Sequence, residues 1–151
     1  MWAKEFERQR TLRYERALAI AVRAVELDLP ILVEGTFERL DLRRALWRIA
    51  TEAKMKFVFI YAMATDSDTI HKRFEYRLHV EKGPDFRAND AAIYYDSLRR
   101  YEKPTDEETS IYDGFARIDS ATKTAIDRHA RDQESDDILL AIEAAYGEVP
   151  W

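Results

Sequence analysis

Apolar residues recur at spacings of three and four in some stretches and form short continuous runs in others. The two patterns divide the chain into helices and strands. Over about residues 6 to 28, Tyr14, Leu18, Ala21 and Val25 make one stripe, opposite Arg13, Glu15, Arg16 and Arg23, which predicts a long amphipathic helix. Ala17, Ala21 and Ala24 keep it slim enough to lie close to a sheet. Pro30 ends it. Ile31-Leu32-Val33-Glu34-Gly35-Thr36-Phe37 then reads as a short buried strand with Glu34 and Thr36 at its C-terminal end. A second helix is predicted over about 38 to 54, with Leu42, Leu46 and Ile49 inward and Arg39, Arg43, Arg44 and Arg48 on the rest of its surface. The continuous apolar run from Lys56 to Ala62 fits a strand covered on both faces, as parallel strands are.

Asp66-Ser67-Asp68 is a helix-start cluster, and Ile70, Phe74 and Leu78 follow at i, i+4, i+8. Gly83-Pro84 breaks that helix, and residues 83 to 89 read as an exposed loop. Asn89-Asp90 opens a fourth helix to about Tyr101, closed by Pro104. Residues 106 to 113 read as one helical turn plus loop. Phe115 to Asp119 is a third strand ending in an acid, and helices over about 121 to 132 and 135 to 146 finish the chain. Strands alternating with helices predict an α/β fold with a parallel sheet of about three strands. The length of 151 residues suits a single domain.

Composition narrows the chemistry. The net charge of -5 offers no general attraction to nucleic acid or acidic lipid. The absence of cysteine excludes disulfides, thiolate catalysis and cysteine-ligated metal, and fits a cytoplasmic location. No apolar run is long enough to cross a membrane, and the N-terminus lacks the apolar segment of a secretory signal.

Two acids, Glu34 and Asp119, stand at strand ends, where carboxylates can take a proton or hold a metal-bound water; a solvated strand end or helix cap is the plainer reading. Arg73 and Arg77 are i, i+4 on one helix and project together, with Arg87 in the following loop. Forked guanidinium groups suit phosphoryl oxygens, but Glu75, Glu81 and Asp85 lie close enough in sequence to neutralise them in ion pairs. His71, His79 and His129 lack metal-ligand spacing, and no serine sits in a nucleophile elbow.

In order and spacing, four segments and a final strand resemble the later part of a P-loop kinase of the zeta-toxin-like, polynucleotide-kinase-like and small-molecule-kinase group. They are YERALAIAVRAVELDLPILVEGTF, LRRALWRIATEAKMKFVFIYA, DSDTIHKRFEYR and FRANDAAIYYDSLRRYEKPTDEE, followed by FARIDS. The likeness covers about residues 14 to 120 and implies a three-layer α/β/α core with a helical lid. By position it puts Glu34 near the acceptor or the magnesium, where the family more often has aspartate. It makes Arg73 and Arg77 lid residues on the nucleotide phosphates, and assigns Thr36, Arg87 and Asp119 to cofactor binding.

The family's defining loop, G-x-x-x-x-G-K-[ST], is absent from the chain. No two of the four glycines lie closer than 31 residues, and no Gly-Lys-Ser or Gly-Lys-Thr occurs. The resemblance places that loop upstream of residue 1 or on a partner chain. ATP and Mg2+ are therefore expected as cofactors only where the loop is supplied, for transfer to a small-molecule or nucleic-acid-end hydroxyl. Three readings stay open: part of a split or truncated kinase, a kinase-derived binding module without catalysis, and an unrelated small α/β domain. The expected partners are a chain or upstream segment carrying the loop, or a second copy in a homo-oligomer; the second reading expects a stable monomer.

Overall fold

In the computed structural model, residues 2–64, 66–80 and 91–148 are described. The chain divides into two compact units, Met1–Phe57 and Val58–Trp151.

The first unit is a helix pair. Helix α1 spans Trp2–Glu26 and α2 spans Leu40–Glu52. The stripe predicted for α1 faces inward: Ala21 is buried, and Tyr14, Leu18 and Val25 are half-buried. Pro30 is not what stops α1. Asp28 takes the left-handed conformation (φ 56), and the Leu29 N–H reaches back to the Ala24 carbonyl at 3.0 Å, closing the helix two residues before the proline. Lys54 (φ 58) ends α2 in the same way, with Met55 N–H on the Ala50 carbonyl at 2.8 Å.

Two expectations for this unit are corrected. Residues 31–37 form no strand; they are a connection between the helices, because among the described residues no strand lies beside them to complete a ladder. Arg43 is not on the surface but 1% exposed, its Nη1 donating to the Phe37 carbonyl at 2.8 Å. Phe37 itself is buried with φ 35, a bend that turns its carbonyl toward α2. The neighbouring Glu38, also buried, forms an ion pair with Arg10 of α1.

The second unit is a mixed α/β fold. Its elements are β1 (Val58–Met63), α3 (Ser67–Val80), α4 (Ala91–Arg100), α5 (Asp106–Thr109), β2 (Gly114–Asp119), β3 (Thr124–Ala130) and α6 (Gln133–Glu148). The sheet order is β1-β2-β3. The first pair is parallel, from Val58 opposite Gly114 to Met63 opposite Asp119. The second pair is antiparallel, so the sheet is mixed rather than wholly parallel. The helix expected over 121–132 is in fact β3, joined to β2 by a tight turn with Lys123 at φ 59 and its N–H on the Asp119 carbonyl at 2.7 Å. As an edge strand with a bulge beside Arg117 and Ile118, β3 is exposed along most of its length, and its sequence carries no apolar alternation.

The central strand β2 is covered on both faces. A β-carbon on Gly114 would meet Leu139 of α6 and Val58 of β1, each at 3.3 Å, so α6 packs tightly over the face that also holds Ala116 and Ile118. On the other face, Tyr101 stacks on Tyr61 with ring centroids 5.4 Å apart, and Tyr112 meets Phe59 edge-on at 5.9 Å. Tyr112 is fully buried, and its hydroxyl donates to buried Glu108 at 2.6 Å. The predicted helix-start cluster is present: Asp66 accepts from the Thr69 hydroxyl and from the N–H groups of Thr69 and Asp68, and these bonds, the hydroxyl's first, hold its carboxyl below the usual range.

Two stability predictions follow from this packing. Gly114→Val forces side-chain volume between Leu139 and Val58, and it lowers the urea midpoint by the equivalent of about 1–3 kcal/mol. Ser135 is fully buried in the first turn of α6, and its hydroxyl has no hydrogen-bond partner among the described residues. Ser135→Ala therefore leaves the midpoint unchanged or raises it by about 1 kcal/mol; a clear drop would mean that the hydroxyl is satisfied in solution.

Candidate functional site

Parallel strands place their C-terminal ends together, and in open α/β sheets that end is where ligands bind. Here β1 and β2 end side by side at Met63 and Asp119. The chain leaving β2 stays against β1: the Ser120 N–H donates to the Met63 carbonyl at 2.6 Å. Asp119 is 8% exposed, and its Oδ1 accepts from the Ala121 N–H at 2.8 Å, fixing the turn into β3.

Helix α3 begins four residues after β1, so its second turn stands over these strand ends. Arg73 uses that position. Its Nη1 donates to the Ser120 hydroxyl at 2.9 Å and its Nη2 to the Ser120 carbonyl at 2.6 Å. A half-buried guanidinium is thus clamped one residue beyond Asp119. The clamp has a local cause: Asp66 starts α3 at a defined residue, so Arg73 faces the sheet end.

The remaining predicted residues fall elsewhere. Arg77 lies one turn further along α3, its side chain outside the described residues, as is Arg87 altogether. Glu34 and Thr36 belong to the first unit. Glu34 is exposed on the connection between α1 and α2. Thr36 shares a hydrogen bond with the Tyr14 hydroxyl at 2.8 Å. The structure therefore brings together Arg73 and the Asp119–Ser120 corner. Sequence reasoning passed over Ser120 because it looked only for nucleophile contexts; its position directly after a strand-end acid was the available signal.

An open cavity of about 400 Å³ lies elsewhere, where β3 runs into α6. Its charged groups are engaged in holding the fold. Arg128 lies 3.6 Å from both Asp136 and Glu143, Arg131 donates to the Ser110 carbonyl at 2.9 Å, and Asp132 caps α6 through the Ser135 N–H at 2.9 Å.

The electrostatics of the second unit do not favour polyanions. Val58–Trp151 contains twelve Lys and Arg against twenty Asp and Glu. Phosphate recognition there would depend on local donors rather than on a broad field. Among the described residues, no three His, Asp or Glu side chains gather closely enough to hold a metal ion, and no helix is long and apolar enough to cross a membrane. No protein-family model, curated protein or solved structure matches the chain.

Proposed function

We propose that the chain is the strand-end and lid part of a P-loop-kinase-like phosphotransferase, acting on a small-molecule or nucleic-acid-end hydroxyl. The observation that carries this reading is the placement of Arg73 from α3 at the shared carboxyl end of parallel β1 and β2, one residue beyond Asp119. A fixed, permanently charged fork at that end is the kind of group that stabilises a phosphoryl oxygen.

ATP with Mg2+ does not fit the described residues by themselves. At the strand ends, the Arg73 guanidinium already donates twice to Ser120, and the Asp119 carboxylate already accepts at the turn. The run of backbone N–H groups that cradles a triphosphate is not among the described residues. The reading therefore requires a glycine-rich phosphate loop from another segment or a partner chain. The engagement of Arg73 with Ser120 also favours a second reading, a kinase-derived binding module in which Arg73 is purely structural.

Calorimetry with ATP and Mg2+ is expected to give no micromolar binding to the 151-residue chain; clear binding would overturn the requirement for a separate loop. With a loop-bearing chain supplied, Arg73→Ala and Arg77→Ala are expected to reduce turnover by about 10²-fold or more while thermal unfolding of the chain stays near wild type. If Arg73→Ala instead unfolds the second unit, the binding-module reading stands and the lid role falls.

A further inference from the structure

Between the two helices of the first unit, the chain has the composition of a strand and no ladder to join. Leu29 is 51% exposed, Ile31 37% and Leu32 88%, the highest exposure of any large hydrophobic residue described. Among the described residues, no hydrogen bond engages the backbone of Ile31, Leu32, Val33 or Glu34. No residue from 29 to 36 takes a positive φ. That stretch of negative φ excludes the Phe37 bend, and no charge occurs from Leu29 to Val33. Unpaired backbone beside exposed β-branched and leucine side chains is a template for strand pairing.

We propose that a second copy of this chain fills that role, with Ile31–Val33 of two copies pairing antiparallel about a two-fold axis at Leu32. The register follows from the backbone. In an antiparallel ladder, hydrogen-bonded and non-hydrogen-bonded pairs alternate. With Leu32 opposite Leu32 as a non-hydrogen-bonded pair, Ile31 and Val33 exchange both hydrogen bonds across the axis, twice. Pro30 then falls opposite Glu34 at a position where no N–H is needed. The Leu29 N–H, committed to Ala24, is not called upon. Making Leu32 a hydrogen-bonded pair would demand an N–H from Pro30, and centring on Val33 would set Leu32 against Glu34.

The same register suits the side chains. Non-hydrogen-bonded pairs bring side chains closest, so the two most exposed leucines cover each other. The pairing is self-complementary, as a two-fold contact must be. The two Glu34 carboxylates end up at opposite ends of the ladder, roughly 14 Å apart along the strands, beyond strong repulsion at physiological salt. A parallel arrangement would set them side by side. The contact is small, so the dimer is weak, with a Kd on the order of 10–100 µM. This inference does not depend on the phosphotransferase reading.

Sedimentation velocity on the full 151-residue chain, from about 5 µM to about 1 mM, spans the expected Kd. The mass is expected to rise from monomer to dimer across that range. Leu32→Asp, at a solvent-exposed position, and Val33→Pro, which removes a ladder donor, should each leave a monomer with unchanged circular dichroism. Hydrogen exchange on the wild type adds a readout free of mutation. The Ile31 and Val33 amides should gain protection with concentration, while the Leu32 amide, pointing away from the partner, should not. A monomer throughout, a dimer indifferent to Leu32→Asp, or protection at Leu32 in place of its neighbours would overturn the proposal.

Discussion

The second unit hangs on one strand. Both other strands pair with β2 alone, and its residues are almost removed from water: Ala116 is 0% exposed, Ile118 1% and Phe115 4%. A central strand must satisfy hydrogen bonds on two edges and packing on two faces, which leaves little room for side-chain variation. Gly114 lets α6 approach at one end of it, and the buried Tyr112 seals the other face just before it begins. The parallel partner adds a demand of its own. Chains cannot return to a parallel neighbour by a tight turn, so a long crossover is obligatory. Helices α3 and α4 belong to that crossover. The candidate site is thus a by-product of topology: a helix leaving β1 comes back over the end of β2, and Arg73 is the side chain that meets it.

The first unit solves its internal packing differently. Its connection is held by charge as well as by Phe37. Glu38 is buried against Arg10, and Arg43 is buried against the Phe37 carbonyl. Charges in such places are costly unless paired and hydrogen-bonded, and removing one partner leaves the other stranded. The strained φ of Phe37 belongs to the same arrangement, since it directs the carbonyl that Arg43 needs. Residues 36–39 are therefore well anchored, while Ile31–Glu34, one step earlier, has no such tether among the described residues.

This contrast explains which parts of the structure were legible in the sequence. The stripe Tyr14, Leu18, Ala21, Val25 and the start of α3 at Asp66 were readable because each rests on local rules, helical periodicity and side-chain capping. Strand β1 was readable as a continuous apolar run, and β2, buried everywhere but at Arg117, as a short segment ending in an acid. Strand β3 was not, since an exposed edge strand needs no apolar alternation and its turn uses Lys123 where glycine or asparagine would have signalled it. Ile31-Leu32-Val33 misled for the opposite reason: it has strand composition, but a strand also requires a partner, which no local pattern reports. Arg43 misled because a buried arginine depends on a carbonyl six residues away. Of the candidate site, Asp119 and Arg73 were legible as types in position; their meeting at Ser120 was not, because it is set by the crossover.

Strand β3 and the segment Leu29–Val33, both exposed, are built on opposite principles. Strand β3 sits at a sheet edge, the kind of surface that invites unwanted pairing, and it carries Asp127, Arg128 and His129, with Arg117 and Asp127 ion-paired across the ladder at 3.1 Å. Charges, and a bulge that interrupts the register, blunt an edge against further strands. Leu29–Val33 has neither charge nor bulge; only Pro30 interrupts its donors, and at the position where an antiparallel two-fold ladder does not use one. A solvent-facing segment left without charge, in a chain that blunts the exposed β3 edge with it, is better explained as a surface that is covered than as one under no constraint.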